Sequence, residues 1–133
     1  MSINETVETT VLNAFKTNCP VFDVESFPSV FENYHFTSSK GCILVKFVNT
    51  IFSNQTTVWD VEQNASSTFE IISCYRSMDN YGQIHYPQQN IKDTLQGLEI
   101  LGRKITLEKE EFLKEKNTDL YCKLVCKIEH PVP

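Results

Sequence analysis

Residues 119–129 read Asp-Leu-Tyr-Cys-Lys-Leu-Val-Cys-Lys-Ile-Glu, with Leu120, Cys122, Leu124, Cys126 and Ile128 at every second position. Tyr121, Lys123, Val125 and Lys127 fall between them. Successive side chains of a β-strand point to opposite faces, so the first set shares one face and the second set the other. On a helix the same residues would surround the axis and leave no dry side. The chain is therefore expected to end in a long strand with one buried face, and its other elements must supply the cover.

Those elements can be read from local pattern. Ser2 and Glu5 form a capping box at the start of a helix over residues 2–16. Ile3, Val7, Val11 and Phe15 give that helix one apolar stripe, and Pro20 ends it. Residues 21–27 form a short extended segment stopped by Pro28, and residues 29–40 an aromatic loop without a period. Residues 42–49 are strand-like and apolar on both sides, Ile43, Val45 and Phe47 against Cys42, Leu44 and Val48, as expected of a central strand. Residues 53–67 are polar and read as a hairpin arm or long loop carrying the only tryptophan, Trp59. Another strand covers residues 68–78, with Phe69, Ile71 and Tyr75 opposed to Thr68, Ile72, Cys74 and Arg76. After a turn at Asp79-Asn-Tyr-Gly82, a second helix starts near Pro87, buries Ile91, Leu95 and Leu98, and ends at Gly97 or Gly102. Residues 103–113 alternate again, Ile105, Leu107 and Leu113 against Lys104, Thr106, Glu108 and Glu110. The last four residues, His130-Pro-Val-Pro133, are expected to be a tail whose prolines block pairing. This order predicts one α+β domain over residues 1–133: a mixed, mostly antiparallel sheet of about four to five strands, with two helices packed on one face.

A chain of 133 residues, 41% hydrophobic and 22% charged, has enough apolar side chains for one core. Its net charge of −5, with no run of Lys or Arg, argues against sequence-specific nucleic acid and an acidic membrane as partners. No apolar run reaches the ~20 residues that span a bilayer. The N-terminus lacks the basic and apolar regions of a signal peptide, so synthesis in the cytoplasm and reduced thiols at all five cysteines are expected. Glycosylation matches at Asn4, Asn54 and Asn64 carry no weight without export. Cys122 and Cys126 lack the spacing of a zinc knuckle, and thiols on the apolar face of a strand are core residues. His35, His85 and His130 are scattered, and none lies beside a nucleophile elbow. Asp23/Glu25 and Glu108/Glu110/Glu111 alternate with apolar residues as a solvated sheet face does. Gly97–Gly102 lacks the Lys-Ser/Thr of a phosphate loop. No catalytic, metal or cofactor site is therefore expected, and the chain does not read as an enzyme.

The residues with most to offer a partner are Phe31, Tyr34, Phe36, Phe52 and Trp59. Large rings either complete a small core or anchor an interface. Two other readings stay open on the residues alone. One is a cytosolic binding module whose site is the aromatic loop. The other is a small enzyme with a Cys–His pair brought together in space.

The layout resembles the small terminator proteins that cap phage tails, most closely those of Mu-like contractile tails and related contractile injection systems. The resemblance rests on Val21-Phe-Asp-Val-Glu-Ser-Phe-Pro28 leading into an acidic, aromatic loop, and on Cys42-Ile-Leu-Val-Lys-Phe47 as central strand. It rests further on Thr68-Phe-Glu-Ile-Ile-Ser-Cys-Tyr-Arg76, on Ile91-Lys-Asp-Thr-Leu-Gln-Gly97 followed by Leu98 and Gly102, and on the last strand. It covers nearly the whole chain through patterns; the polar arm and the cysteines do not contribute. It implies a non-enzymatic virion assembly protein without cofactor. Such a protein forms a hexameric ring with copies of itself, stops polymerisation of tail tube and sheath, and presents a surface to a neck or cap protein.

Overall fold

The computed structural model describes residues 2–29, 38–53, 63–76, 81–116 and 119–132. Helix α1 (Ile3–Asn18) is followed by a short strand β1 (Asp23–Ser26) and two long strands, β2 (Gly41–Phe52) and β3 (Asn64–Tyr75). A 3-10 turn (Tyr81–Ile84) enters helix α2 (His85–Gln96), and β4 (Glu99–Ile100), β5 (Arg103–Lys116) and β6 (Asp119–Pro131) complete the domain. The strands form one sheet in the order β1-β2-β3-β6-β5-β4. Only the β1–β2 pair is parallel. The final strand therefore sits inside the sheet, paired along its length with β3 on one side and β5 on the other.

The alternation that predicts this strand is its burial pattern. Leu120, Cys122, Leu124, Cys126 and Ile128 are at most 3% exposed, while Tyr121, Lys123, Val125 and Lys127 are half-buried. Register places Phe69, Ile71, Ser73 and Tyr75 of β3 beside this inward set, and Ile43, Val45 and Phe47 of β2 beside those. Val7, Val11 and Phe15 of α1 and Ile91 and Leu95 of α2 join the same core, so both helices roof one face. Helix α1 is capped as predicted at Ser2, whose Oγ accepts from the Glu5 amide at 3.1 Å. The helices are tied to each other by Asn90 Nδ2, which donates to the Asn18 carbonyl at 3.2 Å. Burying each of these Leu, Ile and Phe side chains stabilises the fold by about 1.5–3 kcal/mol.

The opposite face is dry only at one end, where Cys42, Leu44, Ile72 and Cys74 form a second, smaller cluster with Phe27 and Tyr121. This explains why the start of β2 is apolar on both sides, although β2 lies second from the edge rather than at the centre. Further along, this face is ionic. Lys123 Nζ lies 3.3 Å from Glu111 and 3.6 Å from Glu70, and Lys109 also pairs with Glu111.

The sheet departs from expectation in four places. It has six strands rather than four to five, because Glu99–Ile100 pairs with Arg103 and Lys104 around a two-residue turn. Leu101 and Gly102 have φ of 52° and 77°, the geometry of a type I′ hairpin, which usually takes Asn, Asp or Gly at both positions. Strand β3 starts at Asn64, so residues 64–67 of the expected polar arm are strand. Strand β6 continues through Pro131, whose neighbour Val132 still donates to the Gln63 carbonyl. The missing proline N–H is tolerated at a strand end, where no further pairing depends on it. Finally, bulges between Phe47 and Asn49 in β2 and between Leu107 and Lys109 in β5 reverse the alternation beyond them. After the second bulge Glu110 and Phe112 lie opposite Leu124 and Cys122 on the helix-facing side, and Leu113 lies opposite Tyr121 on the other.

Gly41 marks a close approach of β2 to β3. Its φ is +138°, and a Cβ there would sit 1.8 Å from the Cys74 carbonyl oxygen. Gly102 also has positive φ, but a Cβ there would meet nothing within 4 Å. Gly41→Ala should therefore destabilise the domain far more than Gly102→Ala in urea unfolding. In the same assay, Leu124→Ala should cost about 2–5 kcal/mol through the cavity it leaves.

Candidate functional site

The most featured part of the surface is the end of the sheet where β2 leaves, β3 begins, β5 begins and β6 ends. A cleft of ≈ 420 Å³ opens there between Ile51, Ala65, Ser66, Arg103, Glu129 and His130. Arg103 and Glu129 are exposed, so the cleft carries one charge of each sign. The stretch of β2 that leads to it is apolar and open: Val48, Ile51 and Phe52 are 48%, 64% and 57% exposed, and Ile51 lines the cleft itself. Val48 lies within the bulged stretch of β2, which leaves it without a cross-strand partner.

Beneath the cleft lies a polar network that joins α1 to three strands. Ser67 Oγ donates to Asn4 Oδ1 at 2.8 Å, and lies 3.0 Å from Thr50 Oγ1 and 2.8 Å from His130 Nε2. Asn4 Nδ2 donates to Thr50 Oγ1 at 3.2 Å, and His130 Nδ1 lies 3.1 Å from the Pro131 carbonyl. Ser67 is completely buried and His130 is 6% exposed. A hydroxyl beside an imidazole has the composition of an activated nucleophile. Here three side chains surround the hydroxyl, and none of its surface reaches the cleft. What the arrangement does chemically is satisfy the buried polar groups that tie α1 to β2, β3 and β6. No local motif points to it. Ser67 was expected in the polar arm and His130 in the tail, and they meet only because β3 and β6 pair Ala65 with His130.

A second buried network lies under α2. Gln88 Oε1 accepts from Ser73 Oγ at 3.1 Å and from Tyr75 Oη at 2.5 Å. Burial pushes the Tyr75 hydroxyl well above the usual phenol range. Both networks replace core apolar contacts with directional bonds, which fixes how the helices sit on the sheet.

Of the residues expected at an interface, Phe52 stands exposed near the end of β2, between Ile51 and Ser53 of the cleft. Phe31, Tyr34, Phe36 and Trp59 lie outside the described residues. His85, at the start of α2, packs edge-on to the Phe112 ring at 5.9 Å. The acidic stretch of β5 does not form one solvated face, because the bulge divides it. Glu110 turns to the helix side and pairs with Lys92 at 3.2 Å, while Glu111 stays on the ionic face. Lys109 first, and then Lys123, hold the Glu111 carboxyl below its ordinary range. All five cysteines are free and buried. Among the described residues, no group of three or more His, Cys, Asp or Glu side chains is placed to hold a metal ion. No helix among them is long and apolar enough to cross a membrane.

Fold and site together define an α+β domain with one roofed sheet face and an open, partly apolar sheet end. Residues 11–131 match the Gp37 protein family, and the chain belongs to it. The family is phage-related, and it points to a structural protein of a phage particle. No curated protein matches the chain.

Two outcomes follow from the buried groups. Ser67→Ala leaves Asn4, Thr50 and His130 short of a partner and should cost about 1–3 kcal/mol in urea unfolding. Burial pushes the Cys122 and Cys126 thiols from 9.0 up to about 12. The folded chain thus holds protons that the unfolded chain releases first, so this contribution is complete below pH 9.0 and is lost as pH rises toward about 12. The urea midpoint should fall across that window, and a Cys122→Ala/Cys126→Ala variant should fall less steeply.

Proposed function

We propose that this chain is a non-enzymatic assembly protein that caps the end of a contractile tail tube and sheath, ends their polymerisation and joins them to a neck or cap. It acts as a ring of identical copies, six in the resemblance that motivates the reading. The protein is made in the cytoplasm and becomes part of a tail or injection-system particle. The phage-related family supports this reading at the level of the particle.

The observation that carries the reading further is the pair of uncovered edges on opposite sides of one sheet. Among the described residues, β1 pairs with β2 only along Cys42–Val45, and β4 pairs with β5 only at Arg103 and Lys104. The rest of β2, with the exposed Val48, Ile51 and Phe52, and residues 105–111 of β5 have no outer strand among the described residues. Unpaired strand edges are templates for another chain. Two different edges on one subunit suit a head-to-tail contact, which closes into a ring when the rotation per step divides a full turn. The charges along β5 and the bulges in both strands restrain indiscriminate edge pairing, as specific assembly requires.

The test uses purified protein, alone and with tube ends, sized by light scattering and viewed by negative-stain microscopy. The expected result is closed rings of one copy number, formed alone or on tube ends, which arrest tube growth. Glu110→Pro on the β5 edge, where the main chain opposite Leu124 points away from β6, and Ile51→Asp/Phe52→Asp on the β2 rim should each abolish rings while circular dichroism stays unchanged. Rings that persist in both variants, or a wild-type chain that stays monomeric and leaves tube growth unaffected, would contradict the proposal.

A further inference from the structure

Cys42 on β2 and Cys74 on β3 stand directly opposite each other in the antiparallel register. Both belong to the small cluster on the sheet face away from the helices, 2% and 1% exposed. Directly opposed residues on an antiparallel pair have Cα atoms roughly 4.5–5.5 Å apart, within the roughly 4.4–6.8 Å that a disulfide spans. Gly41 brings the two backbones together just before this pair, through a φ and a close approach that a side chain would forbid.

We propose that Cys42 and Cys74 are a redox pair that closes into a disulfide across β2 and β3 when the protein meets a hydroperoxide or a comparable two-electron oxidant. The other three cysteines have no such partner: Cys122 and Cys126 lie four residues apart on one strand, and Cys19 closes α1. The surroundings of the pair divide the work between its members. The neighbouring Cys42 thiol first, and then the Tyr121 hydroxyl and the Arg76 positive charge, favour thiolate at Cys74 against burial and lower its pKa. Cys74 in turn, and burial after it, raise the Cys42 thiol. Thiolate is the reactive form of cysteine.

With hydrogen peroxide, the Cys74 sulfur attacks one oxygen, the O–O bond breaks, and the departing hydroxide takes a proton to leave as water. Cys74 is then a sulfenic acid. The Cys42 sulfur attacks it, the S–S bond forms as the S–O bond breaks, and the Cys42 proton leaves with the hydroxide as a second water. Two thiols lose two electrons in all, and the peroxide gains them. The product staples the start of β2 to the end of β3, at the sheet end opposite the cleft. It closes a loop that contains the whole β2–β3 arm.

The experiment treats the purified full chain with hydrogen peroxide, denatures it, and labels the remaining thiols with N-ethylmaleimide. The reduced chain takes five labels, one for each cysteine. The oxidised chain should take two fewer, and proteolysis with mass spectrometry should recover one cross-linked peptide pair containing Cys42 and Cys74. Oxidation should raise the Tm of the wild-type chain and leave that of Cys42→Ser unchanged. Since the mapping uses the wild-type chain, its outcome stands even if Cys42→Ser folds poorly. Five labels after treatment, a bridge between any other pair, a disulfide-linked dimer, or Cys74 oxidised to sulfinic acid with Cys42 still free would each overturn the proposal.

Discussion

The domain depends on the final strand being paired on both sides while one of its faces is kept dry. Strand β6 joins the β1–β2–β3 half of the sheet to the β5–β4 half, and among the described residues no other strand bridges them. Its inward side chains form the middle of the layer on which both helices rest. Because side chains alternate with a period of two, a slip of one residue would bring Lys123 and Lys127 under the helices and expose Leu124 and Cys126. The penalty of burying unpaired ammonium groups sets the register more firmly than any single contact. The ion pairs of Lys123 with Glu70 and Glu111 reinforce the same register from the solvent side.

This organisation separates two ends of the sheet with different chemistry. At one, β2 and β3 come together through Gly41, and the cover on both faces holds the Cys42–Cys74 pair. At the other, the start of α1, the β2–β3 arm and the end of β6 converge on a buried polar network beneath an open cleft with an apolar rim. The first end is buried and dry. The second offers surface and unpaired backbone, and the proposed contacts between copies draw on it. A subunit that must polymerise into one ring and no further needs both: edges that accept a neighbour, and a core stiff enough to fix the angle between neighbours.

The helices and long strands were legible because their periodicities are uninterrupted. Val7, Val11 and Phe15 recur at helical spacing, and Leu120 to Ile128 at strand spacing, and these residues form the core where the pattern places them. The bulges were not legible. Each inserts one residue, and since a bulge is defined by the partner strand, nothing local to Val48 or Glu108 announces it. That insertion is why Glu110 faces α2 when simple alternation sent it to solvent. Strand β4 has no local signal, because Leu101 adopts positive φ in a turn where Gly, Asn or Asp is usual. The Asn4–Thr50–Ser67–His130 network was illegible for a different reason. It joins single polar residues from four distant segments, and only the β3–β6 register brings them together.

Hydrogen–deuterium exchange measured amide by amide tests this picture most directly. If β6 is the member that holds the sheet together, the amides of residues 71–75 and 122–126 will be the slowest in the chain and will exchange only when the whole domain unfolds. Helix α1 and the outer part of β5 will open at lower free energy. Fast exchange in 122–126 while α1 remains protected would mean that the helices stand without the strand beneath them, and would contradict the account.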